Sequence, residues 1–267
     1  ANTDRLRQHY WVIVEPEVGR LACGEEGVGR LADPADILLA VEEALAGAPK
    51  DLSGVSILVS AGPTCEPIDP VRYITNRSSG KMGYAIAEEA AVRGAQVTLI
   101  SGPTNLSAPK NTQLVPVTTV REMSDAVTEH VVRANVFISA AAPADFTPAH
   151  VQNQKVKKSA HWTLELDKAE DILAQVGAHK GNTILVGFAA ETQNLEQYAA
   201  EKLETKNLDL IVANDVSAQG DVFGSDTNQV TLISRGGEKV EWPRMSKREV
   251  ANSILDYVRK NLLEDVS

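Results

Sequence analysis

From Leu52 onward the chain repeats one arrangement: a short, continuously apolar run, a loop containing glycine, and an amphipathic helix. VSILVSAG, QVTLISGP, NVFISAAA, TILVGFAA and DLIVANDV are the apolar runs. Strands that are apolar throughout must be covered on both faces. With helices between them, this requires a parallel sheet joined by right-handed crossovers. The intervening segments fit. SGKMGYAIAEEAAVRG places Met82, Ile86 and Ala90 on one side and ends at Gly94, a natural C-cap, and TVREMSDAVTEHVVRA is amphipathic. KAEDILAQVGAHKG and NLEQYAAEKLETKN supply the remaining crossovers.

After Val216 the rhythm changes. A glycine-rich stretch runs to Gly224, and NQVTLISRGGEKVEWP then gives two alternating runs around Arg235-Gly236-Gly237, a β-hairpin at the sheet edge, followed by a closing helix from about Met245 to Leu263. The fold class is α/β: a Rossmann-like, mostly parallel sheet with helices on both faces, plus an edge hairpin. The first fifty residues differ. They hold the apolar run Trp11–Val14, a glycine-punctuated loop from Gly19 to Gly29, and a helix in DPADILLAVEEALAG. Asp33 is its N-cap, Pro34 its first residue, and Ile37, Leu38, Val41 and Leu45 share a face. Gly47, Ala48 and Pro49 read as a linker. The expected division is residues 1–49, an incomplete unit, and residues 50–267, the main domain.

Composition limits the function. With 26 Lys and Arg against 36 Asp and Glu, the net charge of −10 argues against a nucleic-acid partner, so any phosphate site must be a local cationic cluster. Two cysteines, Cys23 and Cys65, give neither a disulfide framework nor zinc spacing, and no apolar run reaches the roughly 20 residues of a membrane span. A cytoplasmic protein with no membrane partner is expected.

In open parallel sheets, ligands bind beyond the carboxyl ends of the strands, so the loops leaving each strand carry the information. The first, SAGPTCEPIDPVRYITNRSSGKMG, is long and delivers Ser78-Ser79-Gly80 to a helix start, where free N–H groups and Lys81 suit a phosphate. SSG alone reads as a serine N-cap on an ordinary helix; the long loop with Arg72 and Asn76 favours a ligand. In SAAAPADF, the small residues Ser139, Ala140, Ala141 and Ala142 leave room for a planar ring, and Asp145 can hold ribose or base, although small residues also lie under tightly packed helices. Lys155, Lys157 and Lys158 form either solvated surface or a flap that closes over phosphates. Phe188 ends the fourth run where it can stack on a base, and Lys202 and Lys206 lie one turn apart on the next helix, either in the site or paired with Glu201 and Glu204. Asn214 and Asp215 end the fifth run. The five histidines have no metal-ligand spacing.

AGPTCEPIDPVRYITNRSSGKMG, SAAAPADF followed by KVKK, and VGFAAET with KNLDLIVAND occur in one order over about residues 50–260. Together they closely resemble the phosphopantothenate–cysteine ligases, the C-terminal half of a bacterial bifunctional coenzyme A biosynthesis flavoprotein. VEPEVGRLACGEEGVGRLADP, with Cys23, is similar to the end of the N-terminal decarboxylase half, so residues 1–49 would be its tail and linker, and FMN would belong only to the part of that half not present here.

The resemblance implies that 4′-phosphopantothenate attacks CTP, giving an acyl-cytidylate and pyrophosphate, and that L-cysteine then displaces CMP. It implies Lys155 and Asn76 as catalytic residues. Ser139, Ala140, Ala141, Asp145, Lys155, Asp171, Ile172, Leu173, Phe188, Lys202 and Lys206 would bind nucleotide; Asn76, Ser78, Ser79, Gly80 and Lys81 would bind the phosphopantothenate or phosphate. Mg²⁺ would bridge phosphates with few protein ligands, no protein side chain being assigned to it, and the chain would form a homodimer, with the edge hairpin around 228–242 as a place for pairing. Two departures stand out: Cys65 in GPTxE, where a polar or basic residue is common, and AEDIL at 169–173 in place of NPDIL, which leaves Glu170 without a role. An NAD(P)-dependent oxidoreductase is the alternative that the rhythm alone suggests; it lacks GxGxxG and the acidic residue after the second strand. A nucleotide-sensing module is the third reading.

Overall fold

The computed structural model describes residues 13–20, 26–46, 50–191, 195–215 and 224–263, together with Thr3 and Leu6. It divides into two compact units, Ala1–Lys50 and Asp51–Ser267.

In the first unit, β1 (Glu17–Arg20) and β2 (Glu26–Arg30) pair antiparallel, with Gly19 opposite Gly27, and α1 spans Pro34–Ala46. Of the segment expected as a loop from Gly19 to Gly29, the described residues lie in these two strands. They lack apolar alternation because glycine and charged residues occupy most positions, so periodicity could not reveal them. Asp33 does cap α1, its Oδ1 accepting from Ala35 N–H at 2.8 Å. Ile37 is half-buried, whereas Leu38 and Val41 are exposed. Trp11, Cys23 and the 47–49 linker lie outside the described residues.

The second unit runs β3 (Ser56–Ala61), β4 (Cys65–Pro67), β5 (Tyr73–Thr75), α2 (Lys81–Val92), β6 (Gln96–Ser101), β7 (Thr112–Pro116), α3 (Val120–Val131), β8 (Val136–Ser139), β9 (Phe146–Pro148), β10 (Leu166–Lys168), α4 (Ile172–Ala178), β11 (Ile184–Glu191), α5 (Leu195–Thr205), β12 (Leu210–Asp215), β13 (Thr227–Asn228), β14 (Val230–Ser234), β15 (Lys239–Glu241), β16 (Met245–Ser246) and α6 (Lys247–Val258), which ends in a π-helical turn. Eight strands form one sheet in the order β7-β6-β3-β8-β11-β12-β14-β15. The pairs from β7 to β12 are parallel; β14 and β15 add the antiparallel edge hairpin that the sequence predicts.

Alternate residues of each strand enter two cores. Ile57, Val59, Val136, Ile138 and Val186 meet α2 and α6; Leu58, Phe137, Leu185 and Ile211 meet α3, α4 and α5. Both faces are thus covered, which is why the runs are apolar without alternation. β7 departs from the expected set. It is a half-exposed edge strand ending in Pro116, and its polar positions hide it from a search for continuous apolar runs. The order reverses between β3 and β8: the chain moves outward through β6 and β7, then returns to lay β8, β11 and β12 on the other side. In a doubly wound sheet a ligand crevice is expected at the carboxyl edge beside this switch point, where the loops leaving β3 and β8 are tied to one another by hydrogen bonds.

Candidate active-site crevice

The floor of the crevice is backbone. Beyond β3 and β8 the parallel pairing continues as a bridge between Pro63 and Ala142, with Ala142 N–H donating to Gly62 C=O at 2.9 Å and Ala140 N–H to Ser60 C=O at 3.1 Å. Thr64 Oγ1 accepts from Ala144 N–H at 3.0 Å. Such close approach depends on glycine. A Cβ on Gly102 would stand 1.7 Å from Pro63 O, and Gly62 and Gly80 both hold φ +75°, so the exits of β3 and β6 and the start of α2 can crowd together.

Gly80, not a serine, is the N-cap of α2, and no side chain caps that helix. The serine-cap reading of SSG therefore gives way to an uncapped helix start. Ser78 Oγ instead accepts from Gly80 N–H at 3.3 Å; Ser78 and Ser79 are half-buried. Lys81 is already engaged, donating to Gly224 C=O at 2.8 Å and pairing with Asp226 at 2.6 Å, which holds the Asp226 carboxyl below the usual range. Asn76 donates through Nδ2 to Pro143 C=O at 2.9 Å and Ala142 C=O at 3.3 Å. It fastens the β5 side of the long loop to the exit of β8.

The residues expected around the nucleotide flank the ends of β8 and β11 from two sides. Ser139 lies between Ser60 and Gly187 in register. Ala140 and Phe188 pack on the α2/α6 core, and Phe188 is half-buried there; Ala141, Ile172 and Leu173 pack on the opposite core. Asp171 caps α4 through Ala174 N–H at 3.0 Å and pairs with Lys206 at 3.0 Å. Burial opposes the charge on Asp171, but the Ala174 N–H and Lys206 outweigh it and hold the carboxyl below its ordinary value. Gly177 permits this meeting, since a Cβ there would stand 2.0 Å from Lys206 O. Lys202 is half-buried one turn earlier, and Asp145 is exposed at the mouth. Phe188 is thus brought to the face opposite the Lys206–Asp171 pair, not beside it.

From Asp145 an arm projects: β9 and β10 pair antiparallel, closed by Ala169 N–H to Asp145 C=O at 2.9 Å and Ala149 N–H to Glu165 C=O at 3.0 Å. Lys155, Lys157 and Lys158 lie on its loop, exposed and without a hydrogen bond or ion pair among the described residues. Sequence reasoning missed what fixes the surrounding loops. Glu66, 3% exposed, accepts from Val120 N–H at 2.9 Å and so ties β4 to the start of α3. Asp69 is likewise buried and pairs with Arg72, whose guanidinium holds the Asp69 carboxyl well below the carboxylate range. The signal available for the latter was the turn sequence Asp-Pro-Val-Arg.

A doubly wound α/β domain, with an uncapped helix start and a lysine-bearing arm among the loops around its switch point, defines a Rossmann-like class. Its sequence is more specific. The chain belongs to the family described as the DNA/pantothenate metabolism flavoprotein C-terminal domain, matched over residues 52–262. It is 48% identical over 262 residues to the coenzyme A biosynthesis bifunctional protein CoaBC of Bacillus subtilis, covering 96% of this chain. The chain spans 64% of the length of that relative. Among solved structures, the C-terminal domain of a coenzyme A biosynthesis bifunctional protein CoaBC superposes with TM-score 0.71 at 44% identity, covering 81% of this chain and 99% of that one. A Cab2 mutant in complex with phosphopantothenate-cysteine shares the fold at 18% identity and TM-score 0.66, over 88% of this chain and 97% of that one. The family assignment leaves the oxidoreductase alternative without support.

Proposed function

We propose that residues 50–267 join 4′-phosphopantothenate to L-cysteine at the expense of CTP, and that residues 1–49 are the tail and linker of a decarboxylase half. What supports the reading is that the loop running from β3 to α2 is hydrogen-bonded both to the small-residue exit of β8, through Asn76, and to the lysine arm, through Asp69 and Arg72. A carboxylate does not react with an amine, so it must first become an acyl-nucleotidylate, whose formation develops charge on the α-phosphate. In this reading Lys155 meets that charge from the arm. The α2 start, with Ser78, Ser79 and Gly80, holds a substrate phosphate on backbone N–H groups. Lys81 contributes its field while paired with Asp226. Ser139, Ala140 and Ala141 admit the nucleotide against bare backbone, with Asp145, Phe188, Lys202, Lys206 and the Asp171–Leu173 turn around it.

Asn76 serves the second step. Its amide fixes the Ala142–Pro143 carbonyls against which the acyl group would rest while the cysteine amine attacks. Among the described residues no three of His, Cys, Asp and Glu converge as metal ligands. The donor set does not form a protein-only magnesium site. Mg²⁺ is expected to arrive on the phosphates, and no step here is routed through it. A cytoplasmic homodimer completes the reading; no helix of the described residues is long and apolar enough to cross a membrane. The edge strand β15 carries the Lys239–Glu241 ion pair, and charges of this kind blunt an edge, so the dimer contact is expected elsewhere than the 228–242 hairpin.

The test is an assay with 4′-phosphopantothenate, L-cysteine, Mg²⁺ and CTP. Pyrophosphate released in proportion to phosphopantothenoylcysteine is expected, and nucleotide bound without pyrophosphate would sink the proposal in favour of a sensing module. Asn76→Asp should still release pyrophosphate while the acyl-cytidylate accumulates, detected by mass spectrometry.

A further inference from the structure

The lysine arm is gripped by the loop that leaves β3. Asp69 lies in the loop between β4 and β5, its side chain fully buried. One carboxylate oxygen accepts from Val71 N–H at 2.8 Å and Arg72 N–H at 2.9 Å. The other takes the Arg72 side chain and, 87 residues along the chain, Val156 N–H at 3.1 Å. Arg72 completes the grip: it donates to Val156 C=O at 3.0 Å, and its guanidinium lies 5.0 Å from the centroid of the Trp162 ring. Gln152 N–H donates to Ile68 C=O at 2.9 Å, a third tie from the same loop. Both backbone groups of Val156 are therefore held as a neighbouring strand would hold them, although no strand is there, and the residues on either side are Lys155 and Lys157.

A pair that merely stapled the Asp-Pro-Val-Arg turn would satisfy its own two N–H groups and stop. Here the same carboxylate and guanidinium reach across to one residue of another loop, and a planar guanidinium is what allows Arg72 to bond Asp69 and Val156 and still face an indole. We infer that Asp69 is a positioning residue: with Arg72 it clamps Val156 and thereby sets where Lys155 stands over the crevice. The inference rests on the proposed ligase reading for what Lys155 does there, but the clamp itself is a statement about the arm alone. Holding a cation in place before charge develops matters because a displacement of about 1 Å can cost about 10²-fold in rate. The effect belongs to the transition state, so it appears in kcat rather than in substrate affinity.

Two variants test it, Asp69→Asn in the clamp and Trp162→Ala on the arm, where the indole is already half exposed. Amide hydrogen exchange is followed by mass spectrometry on peptides covering 149–165 and, as a control, on β3 and β8. Pyrophosphate release is measured with CTP varied. The expected result for Asp69→Asn is about tenfold or greater faster exchange confined to 149–165, with kcat about 10²-fold lower and KM for CTP changed less than about threefold. Trp162→Ala should move both readouts the same way by less. Unchanged exchange in the arm of Asp69→Asn overturns the clamp whether or not the protein turns over. Faster exchange with unchanged kcat overturns the positioning role. If the unaltered protein releases no pyrophosphate, the ligase reading fails and the positioning role with it, while the exchange data still decide the clamp.

Discussion

The body of the sheet and the loops at its carboxyl edge are held by different forces. In the body, Phe137, Leu58, Leu185, Ile138 and their neighbours are 0–1% exposed and interlock on both faces with helices. At the edge few apolar side chains are buried, and the loops are fixed by single polar links: Asn76 on Ala142 and Pro143, Thr64 on Ala144, Glu66 on Val120, Asp69 and Arg72 on Val156. Burial is non-directional and tolerates small shifts, whereas a hydrogen bond fails within a few tenths of an ångström. Stability therefore resides in the body and geometry in the edge, so substitutions in the two regions should fall into separate classes.

The largest effect expected is in the body. Phe137→Ala removes a fully buried ring from the core shared by α3, α4 and α5, and should lower the unfolding free energy by about 3–5 kcal/mol, read by urea denaturation. Turnover of the fraction that remains folded should be little changed. Next in size is Lys155→Gln. Loss of one charge-stabilising donor costs about 10²–10³-fold in kcat, and pyrophosphate release should fall at least this far, because activation itself fails. The melting temperature should not move, since the Lys155 ammonium has no partner among the described residues to lose. A Lys155→Gln protein that melts several degrees lower, or a folded Phe137→Ala protein that no longer turns over, would break the division between the regions.

The same division explains what could be read from the sequence. The five apolar runs and the hairpin after Val216 were legible because burial on both faces leaves a compositional mark on every residue of a strand. β7 was not, since an edge strand is buried only in part, and neither was the β1–β2 pair, whose glycines carry no apolar signal. In the site, SSGKMG, SAAAPADF and KVKK were visible as residue types suited to phosphate and nucleotide. What they do locally was not. That Lys81 is paired with Asp226, that Phe188 lies on the face away from Lys206, and that Asn76 spends its amide on two carbonyls all depend on partners far away in the chain. Polar links between distant loops leave no periodicity, so Asp69 and Glu66 appeared only as ordinary acidic residues in a turn-rich loop.

Acid should act through a few paired carboxylates rather than through the apolar core. Asp69 and Asp51 are held below the usual range chiefly by hydrogen bonds from Arg72 and Arg93, and Asp171 and Asp226 are lowered as well. Each of these groups binds fewer protons folded than unfolded. The stability they contribute is thus complete above the unfolded carboxylate pKa of about 4 and is lost as pH falls through the lower folded values. Denaturation midpoints should be flat with respect to these groups from pH 7 to about 5 and decline below about 4, with the Asp69 clamp on 149–165, whose carboxyl is held lowest, the last of these links to loosen. A decline that begins between pH 7 and 5 would show that these carboxylates do not set the acid limit.

The smallest effect sharpens the comparison most, because it lies on the boundary. The start of α3 is capped from both regions: Thr119 and Glu122 form a capping box, while Glu66 reaches in from β4 to Val120 N–H. Cys65 N–H adds a bond to Thr118 C=O at 2.7 Å. Thr119→Ala deletes only the helix's own hydroxyl and should cost about 1 kcal/mol of stability. The Glu66 and Cys65 links survive it, so kcat for pyrophosphate release should stay within about twofold. Glu66→Gln reverses the balance. The amide can still accept from Val120 but no longer presents a charge to the helix N-terminus, and the loop it anchors leads directly into Asp69 and Arg72. Its mark should therefore appear as faster exchange in residues 64–76 and 149–165 with a smaller change in melting. If both substitutions moved stability and exchange in the same proportion, body and edge would be one cooperative unit, and the separation drawn from their burial would not hold.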